Sequence, residues 1–323
     1  MTNSQKIDVV GVGLNATDTL IPLPHFPVLG SKVEFYSADV LPGGQVATAI
    51  VACQRWGLQT RYVGKVGEDA AADIHRAEFA ELGVEAHLQV AAGCPSQRAF
   101  ILVDENGERT VLWKRDHRLT LRPEELQRDW IVEARALHVD GHDVEAATVA
   151  AGWARLAGVP VIADLDEVYP GVEALLGKVD YLITSRDIPG RVTGEMDLRD
   201  ALRALCSRFE CRLAAATLGQ EGVLAWDGAQ FHYAPAYRVQ TLDTTGAGDI
   251  FHAGFIYGLI RRWPLARQLD FACAAAALNC KAIGARGAIE SAEMIESFMS
   301  IAARYSALAG EHAGDLAPDL RQP

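Results

Sequence analysis

The sequence predicts an α/β fold with a mainly parallel central sheet and a small β-sheet lid, and three observations carry that expectation. From Ala136 onward, short apolar runs alternate with longer segments of helical period, as strands do when helices cover both faces of a parallel sheet. Upstream, the turn Asp104-Glu105-Asn106-Gly107 separates two alternating apolar runs, which signals a hairpin set apart from that rhythm. Near the end, Asp243–Gly258 passes from a glycine-bearing loop into a segment whose Ile250, Phe251, Phe255, Ile256 and Leu259 recur at helical spacing. With 323 residues, half of them hydrophobic, the chain is long enough to bury a large core.

Taken in order, Ile7–Val10 reads as a short buried strand. The run Gly11-Val12-Gly13-Leu14-Asn15-Ala16 after it formally matches a dinucleotide fingerprint, but that motif needs a helix to begin at the glycines. Thr17–Pro27 instead carries Pro22, Pro24 and Pro27 with no helical period, so a nicotinamide or flavin site is set aside. Asn15 and Asp18 then read as polar groups facing a cleft, with turn formation as their plainer role. Lys32–Val40 looks like a strand with charged edges running into Leu41-Pro42-Gly43-Gly44-Gln45, and the helix that follows ends at Gly57, a left-handed cap. Arg61–Val66 and Ala86–Val90 are strands flanking a helix that Asp69 caps and Gly83 ends. Ala99–Val103 and Arg109–Trp113 form the hairpin, and together with the segment after Asp18 they make a lid over about 15–41 and 96–115. Such a sheet offers one face to a ligand and one to a partner subunit.

Strands Ala136–Val139, Val159–Ala163, Tyr181–Ile183 and Leu213–Thr217 then alternate with helices Val144–Ala157, Val172–Leu176 and Leu198–Phe209. Ligands of parallel sheets sit beyond the carboxyl ends of strands, where Asp140, Asp164, Asp166, Ser185 and Thr217-Leu218-Gly219 fall. A hairpin turning at Asp227-Gly228, a helix Ala266–Lys281, the loop Ile283–Gly287 and a helix Ala292–Tyr305 complete a single domain over 1–307, and 308–323 read as a flexible tail.

Thirty basic residues face forty-two acidic ones, a formal charge of −12 with no basic stripe, which excludes a nucleic-acid footprint. The six cysteines form no C-x-x-C pair and suit buried thiols in a reducing compartment. The polar start lacks a secretory apolar region, and Phe271–Leu278 falls far short of the ~20 residues that span a bilayer, so a cytoplasmic protein without a membrane partner is expected.

The chemistry concentrates at Gly246-Ala247-Gly248-Asp249. The first N–H groups of a helix lack internal partners and sit at the positive end of its dipole, so small residues there leave a pocket for an anion. A carboxylate in that turn repels a bound phosphate unless a reacting group lies between them, which suits a base taking a proton from a hydroxyl. On this segment alone, a simple turn with an acid placed against the dipole stays open.

Two separated signatures add to this reading: Leu41-Pro-Gly-Gly-Gln-Val-Ala-Thr-Ala-Ile with Val63-Gly-Lys-Val-Gly-Glu-Asp69, and Asp243-Thr-Thr-Gly-Ala-Gly-Asp249. In these the chain resembles the ribokinase-like (PfkB) carbohydrate kinases over almost its whole length. The resemblance implies a three-layer ribokinase-like sandwich, ATP and Mg²⁺, a sugar acceptor and a homodimer joined through the lid. It implies Asp249 as base and Gly246, Ala247 and Gly248 as anion hole. Thr217, Gly219 and Gly222 match a T-x-G-x-x-G nucleotide segment, and Asn279, Ala282 and Gly284 the adenine side. Asn15, Asp18, Gly43 and Gly44 match acceptor contacts, Gln45 and Arg109 positions that vary with the acceptor, and Asp243 and Thr245 a K⁺ site of some members.

Departures shape the expected substrate. Ser185-Arg186-Asp187-Ile188 replaces an Asn-x-x-Glu, leaving Asp187 as the acidic contact to a metal-bound water. Asp69-Ala70-Ala71-Ala72 lacks a family glycine, and Gln45 and Thr48 stand where ribokinase has lysine and asparagine, which moves the expectation from ribose to a ketose or a relative resembling ketohexokinase or sulfofructose kinase substrates. The transfer is expected on a primary hydroxyl. Two alternatives are a nucleoside kinase with Phe35, Tyr36 and Trp113 against a base, and a catalytically silent nucleotide-binding regulator.

Overall fold

Short apolar runs become strands and periodic segments become helices because each buries its apolar side against the other. The computed structural model describes residues 7–305; the expected tail and the first six residues lie outside them. In chain order the elements are β1 (Val9–Val12), β2 (Ala16–Pro22), β3 (Asp39–Gly43), α1 (Gln45–Arg55), β4 (Thr60–Val66), α2 (Ala70–Leu82), β5 (Glu85–Val90), β6 (Arg98–Val103) and β7 (Arg109–Lys114). They continue as α3 (Arg128–Val132), β8 (Ala136–Asp140), α4 (Val144–Leu156), β9 (Val161–Leu165), α5 (Val172–Leu176), β10 (Tyr181–Ser185), α6 (Ile188–Thr193), α7 (Leu198–Phe209) and β11 (Leu213–Thr217). The last are β12 (Val223–Trp226), β13 (Phe231–Ala234), α8 (Ala247–Ile260), α9 (Leu265–Asn279) and α10 (Ala292–Ile301).

The central sheet runs β13-β12-β11-β10-β9-β8-β1-β4-β5, parallel except for β12 and β13 at one edge. Every residue of β1, β8 and β9 is buried, which requires cover on both faces. One face packs on α1, α8 and α9 through Val46, Ile50, Phe255 and Phe271, the other on α4 and α7 through Ala147, Ala150, Leu202 and Leu205. No helix among the described residues is long and apolar enough to cross a membrane. All six cysteines are buried and free, as the spacing predicts.

The second sheet, β3-β2-β6-β7, places two kinds of residue by register. Leu41, Asp18, Ala99 and Trp113 stand opposite one another across its four strands. The neighbouring row, Val40, Thr19, Phe100 and Leu112, points to the other face, because side chains alternate along a strand. In that outer row Val40, Phe100 and Leu112 are exposed.

One expectation holds and two change. No helix opens at Gly11–Ala16; Ala16 starts β2, which removes the dinucleotide motif's required context. The predicted strand Lys32–Val40 is absent over 32–38, where no ladder partner is available, and the strand instead spans Asp39–Gly43. Pro42 is tolerated within it because β3 is an edge strand, where a missing N–H need not break the sheet. The last helix ends at Ile301 rather than Tyr305, and the chain then pairs Arg304 with Tyr237 in an antiparallel bridge.

Candidate active site

At the entry to α8, Gly246 has φ 75°, and a Cβ there would fall on the Ala285 backbone, 2.5 Å from its Cα. Glycine therefore lets two loops touch. The loops are also braced by side chains. Asp243 accepts through Oδ1 from Thr245 N at 2.8 Å and Thr245 Oγ1 at 2.6 Å, and through Oδ2 from Gly284 N at 2.8 Å. Asn279, with no exposed surface, donates to Thr245 O at 3.4 Å and Ala285 O at 3.1 Å and accepts from Ala288 N at 3.2 Å. The helix start is thus fixed before any ligand arrives, with Asp249 in its first turn.

Two cavities meet at this turn. The smaller, about 250 Å³, is lined by Asp18, Gly44, Gln45, Asp164, Gly246 and Asp249 among others. The larger, about 620 Å³, is lined by Gly219, Gly222, Ala247 and the apolar Phe251, Ala276 and Ala277. Arg109, Ser185, Thr217 and Gly248 border both. Arg109, on the lid, donates from Nη1 to Thr244 O at 3.0 Å and to Thr244 Oγ1 at 2.7 Å, and Thr244 Oγ1 donates to Gly107 O at 3.1 Å. The hairpin tip is thereby stapled to the loop that leads into the Gly246–Gly248 turn.

The smaller cavity is acidic. The surrounding protein, then Asp164, push the Asp249 carboxyl well above the ordinary carboxylate range, with His252 and Arg109 opposing. Burial, then Asp166 and Asp140, raise Asp164 likewise, while a hydrogen bond from Gln45 acts against them. His252 Nδ1 lies 3.5 Å from Asp164 Oδ2 and 2.8 Å from Gly248 O, and burial holds its imidazole below the usual range. Asp18, on the inner row of the lid and 6% exposed, is pushed up to about 7 by burial, with Arg286 lowering and Asp243 raising it. A Cβ on Gly43 would meet that carboxylate, 2.8 Å from Cγ, so the glycine makes room for it. Arg286 is buried beneath, paired with Glu78 and donating to Thr48 Oγ1 at 3.1 Å and Gly43 O at 2.9 Å.

The structure sorts the residues picked from sequence. Asp18, Gly44, Gln45, Arg109, Thr217, Gly219, Gly222, Gly246, Ala247, Gly248 and Asp249 all border the paired cavities. Asn15 does not: its Nδ2 donates to Tyr62 Oη at 2.8 Å and Lys65 O at 3.1 Å, tying β1 to β4. Asn279, Ala282 and Gly284 lie behind the wall, where Ala276, Ala277 and Cys280 of the same region face the larger cavity. Asp187 also lies outside both linings and pairs with Arg191 at 3.3 Å. Phe35 and Tyr36 are exposed away from either cavity, while Trp113 borders the smaller one. Gln97, His142, Tyr169 and His252 complete the smaller cavity and were not picked out as site residues from sequence. His142 and Tyr169 follow the carboxyl ends of β8 and β9, the position that could have flagged them.

A family model described as pfkB family carbohydrate kinase matches residues 15–292. The ATP-dependent ribose-1-phosphate kinase of Halopiger xanaduensis is 26% identical, covering 91% of this chain and 98% of its own. The 5-dehydro-2-deoxygluconokinase of Geobacillus kaustophilus is 24% identical over 91% of this chain and 94% of its own. The crystal structure of ribokinase from Thermotoga maritima superposes with a TM-score of 0.79 at 23% identity, covering 91% of this chain and all of that one, so the fold is ribokinase-like.

Proposed function

The chain belongs to the pfkB family of carbohydrate kinases, and from that premise we propose that it transfers the γ-phosphoryl group of ATP to a primary hydroxyl of a small sugar or sugar derivative. One observation carries this reading: a small cavity lined by Asp18, Asp164 and Asp166 and a larger one walled by Phe251, Ala276 and Ala277 meet at Gly248, with Asp249 on the smaller side. The smaller cavity takes the acceptor, the larger the nucleotide.

In this mechanism the Asp249 carboxylate accepts the hydroxyl proton as the acceptor oxygen bonds to the γ-phosphorus. The bond from that phosphorus to the β–γ bridging oxygen breaks, and ADP leaves. The N–H groups of the Gly246–Gly248 turn and the Arg109 guanidinium face the charge that builds on the transferring group. A raised carboxyl suits the role, because a general base works best with a pKa near the operating pH.

Among the described residues no cluster of three or more His, Cys, Asp or Glu side chains could hold a metal, which fits Mg²⁺ carried mainly on phosphates and water. Mg²⁺ so bound would neutralise charge on the β- and γ-oxygens. Asp187 is a poor contact for its water, given its pairing with Arg191. At the expected K⁺ position Asp243 Oδ1 accepts two hydrogen bonds inside the protein, while Oδ2 accepts one and keeps a lone pair for a cation.

The ketose reading rests on Ser185–Asp187 and Asp249–His252, with Gln45 and Thr48 standing against ribose; Gln45, Ser185, Asp249 and His252 line the smaller cavity, while Arg186 lines the larger and pairs with Glu221 at 2.7 Å. A nucleoside acceptor has Trp113 alone of the three aromatics in its favour. The exposed outer row Val40, Phe100 and Leu112 supports a homodimer formed through the lids.

The test is ATP consumption across ketoses, aldoses, sugar acids and nucleosides, with Asp249→Asn beside each assay. A responding sugar whose turnover falls by roughly 10²–10⁴ in the variant, with acceptor and ATP binding retained, supports the assignment. Undiminished turnover in the variant removes Asp249 from the mechanism.

A further inference from the structure

The acceptor cavity is rich in carboxyl groups and holds amide oxygens left without a partner. Asp18, Asp164, Asp166 and Asp249 all line it. Gln97 lines it too, is 5% exposed, and its Oε1 has no hydrogen-bond partner; the buried Oε1 of Gln45 has none either.

Of the nearby cations, two are held elsewhere and the third, Arg109, stands at the glycine-turn end of the cavity. Arg115 donates to both carboxylate oxygens of Asp143 at 2.7 Å, Arg286 is paired with Glu78, and Arg109 holds Thr244. His142 faces the Tyr169 hydroxyl at 3.2 Å, and burial keeps its imidazole below the usual range and therefore neutral near pH 7. Among the described residues neither Asp164 nor Asp166 has a lysine or arginine within ion-pair distance; His252 Nδ1 stands 3.5 Å from Asp164 Oδ2, and the Gln45 amide acts on both carboxyls. Burial raises both carboxyls; at Asp164 the neighbouring Asp166 and Asp140 add to it, and at Asp166 His142 opposes it while Asp140 adds to it.

A ligand that satisfies this lining must bring donors and, at Asp166, positive charge. A carboxylate or phosphate on the acceptor would face acceptors and like charge. An ammonium supplies three donors and a full charge, and the aromatic wall of Trp113 and Tyr169 suits a cation beside it. Resting on the reading that this cavity takes the acceptor, we propose that the acceptor is an amine-bearing polyol, an amino sugar or aminocyclitol, whose ammonium is held by Asp166 with Asp164 behind it. The cavity thus has two poles: the glycine turn for the phosphoryl group, and these carboxylates for the amine.

The test reads binding rather than turnover, so it stands apart from the kinase assignment. Calorimetry on the full chain, with Mg²⁺ and a non-hydrolysable ATP analogue, compares matched sets: 2-amino-2-deoxyglucose, glucose, N-acetylglucosamine and glucuronate; 1-amino-1-deoxyfructose and fructose; an aminocyclitol and its parent cyclitol. In at least one set the amine is expected to bind tenfold or more tighter than its neutral partner, with glucuronate weakest in its own set. In Asp166→Asn that ratio should fall toward one, while Asp166→Glu keeps most of it and melting curves confirm that both variants are folded. Neutral partners binding as tightly as their amines in every set, failure of every amine to bind, or an unchanged ratio in Asp166→Asn would each overturn the proposal. If amines bind but none is phosphorylated with ATP, the kinase mechanism fails and the amine site stands.

Discussion

Asp18→Asn should stabilise the ligand-free protein at pH 8 while weakening acceptor binding. The Asp18 carboxyl is raised from 3.8 to about 7, chiefly by burial. The native state therefore keeps a proton that the unfolded chain releases near pH 4. Between those values the native state binds more protons, so its stability falls as pH rises. A shift of about three units is worth about 4 kcal/mol, lost by the time the pH passes the folded pKa. Asparagine has no proton to lose and escapes the penalty. For a chain of this length the unfolding entropy converts about 4 kcal/mol into roughly 6 °C. Thermal melts of both proteins from pH 4.5 to 8.5 should show the variant gaining that much relative to wild type as pH rises, with little difference at the acid end. Other buried carboxyls and histidines cancel in the comparison. Acceptor binding should run the other way, because hydroxyl donors favour the ionised carboxylate, and calorimetry in buffers of different ionisation enthalpy should detect proton release on binding below pH 7. A melting difference flat across the range would refute the placement of Asp18 as a desolvated carboxyl.

Gly246→Ala forces a left-handed backbone on alanine, costing about 1–2 kcal/mol, and drives its Cβ into the Ala285 backbone, so kcat should fall with acceptor affinity largely kept; steady-state kinetics and a melt read both effects. Arg286→Met leaves Glu78 without its buried partner and should cost about 3–5 kcal/mol in denaturant unfolding, while Arg286→Met with Glu78→Leu should recover much of it. Leu112→Glu puts charge into the exposed outer row of the lid, and sedimentation at micromolar concentration should show a wild-type dimer becoming a monomer; a wild-type monomer would refute that interface.

What was legible in the sequence was what a short stretch decides for itself. Gly246 to Asp249 form one loop and one helical turn, and Thr217, Gly219 and Gly222 lie within a few residues of one another, so their spacing already implies their placement. Gln97, His142 and Tyr169 reach the cavity from three distant segments, brought together by sheet order and strand ends that no local pattern fixes. Asn15 and Asn279 show the opposite difficulty. A polar residue beside a ligand loop reads the same whether its side chain meets the ligand or ties down the backbone, and both asparagines do the second. Alternation in Lys32–Val40 suggested a strand, but a strand also needs a neighbour, and the ladder begins only at Asp39.

The hairpin tip has a consequence for how the two substrates sense each other. Asn106, Glu108 and Arg109 border the larger cavity, proposed for the nucleotide, while Val111 and Trp113 of the same hairpin border the smaller one, proposed for the acceptor. Whatever orders one end of this hairpin orders the other, so part of the entropy of fixing it is spent by whichever substrate arrives first. Thermodynamic reciprocity then requires each to tighten the other by the same factor. On the proposed assignment of the two cavities, the lid becomes an account of cooperativity within a single chain, and the strand that borders the acceptor cavity is the one that holds down wasteful transfer to water.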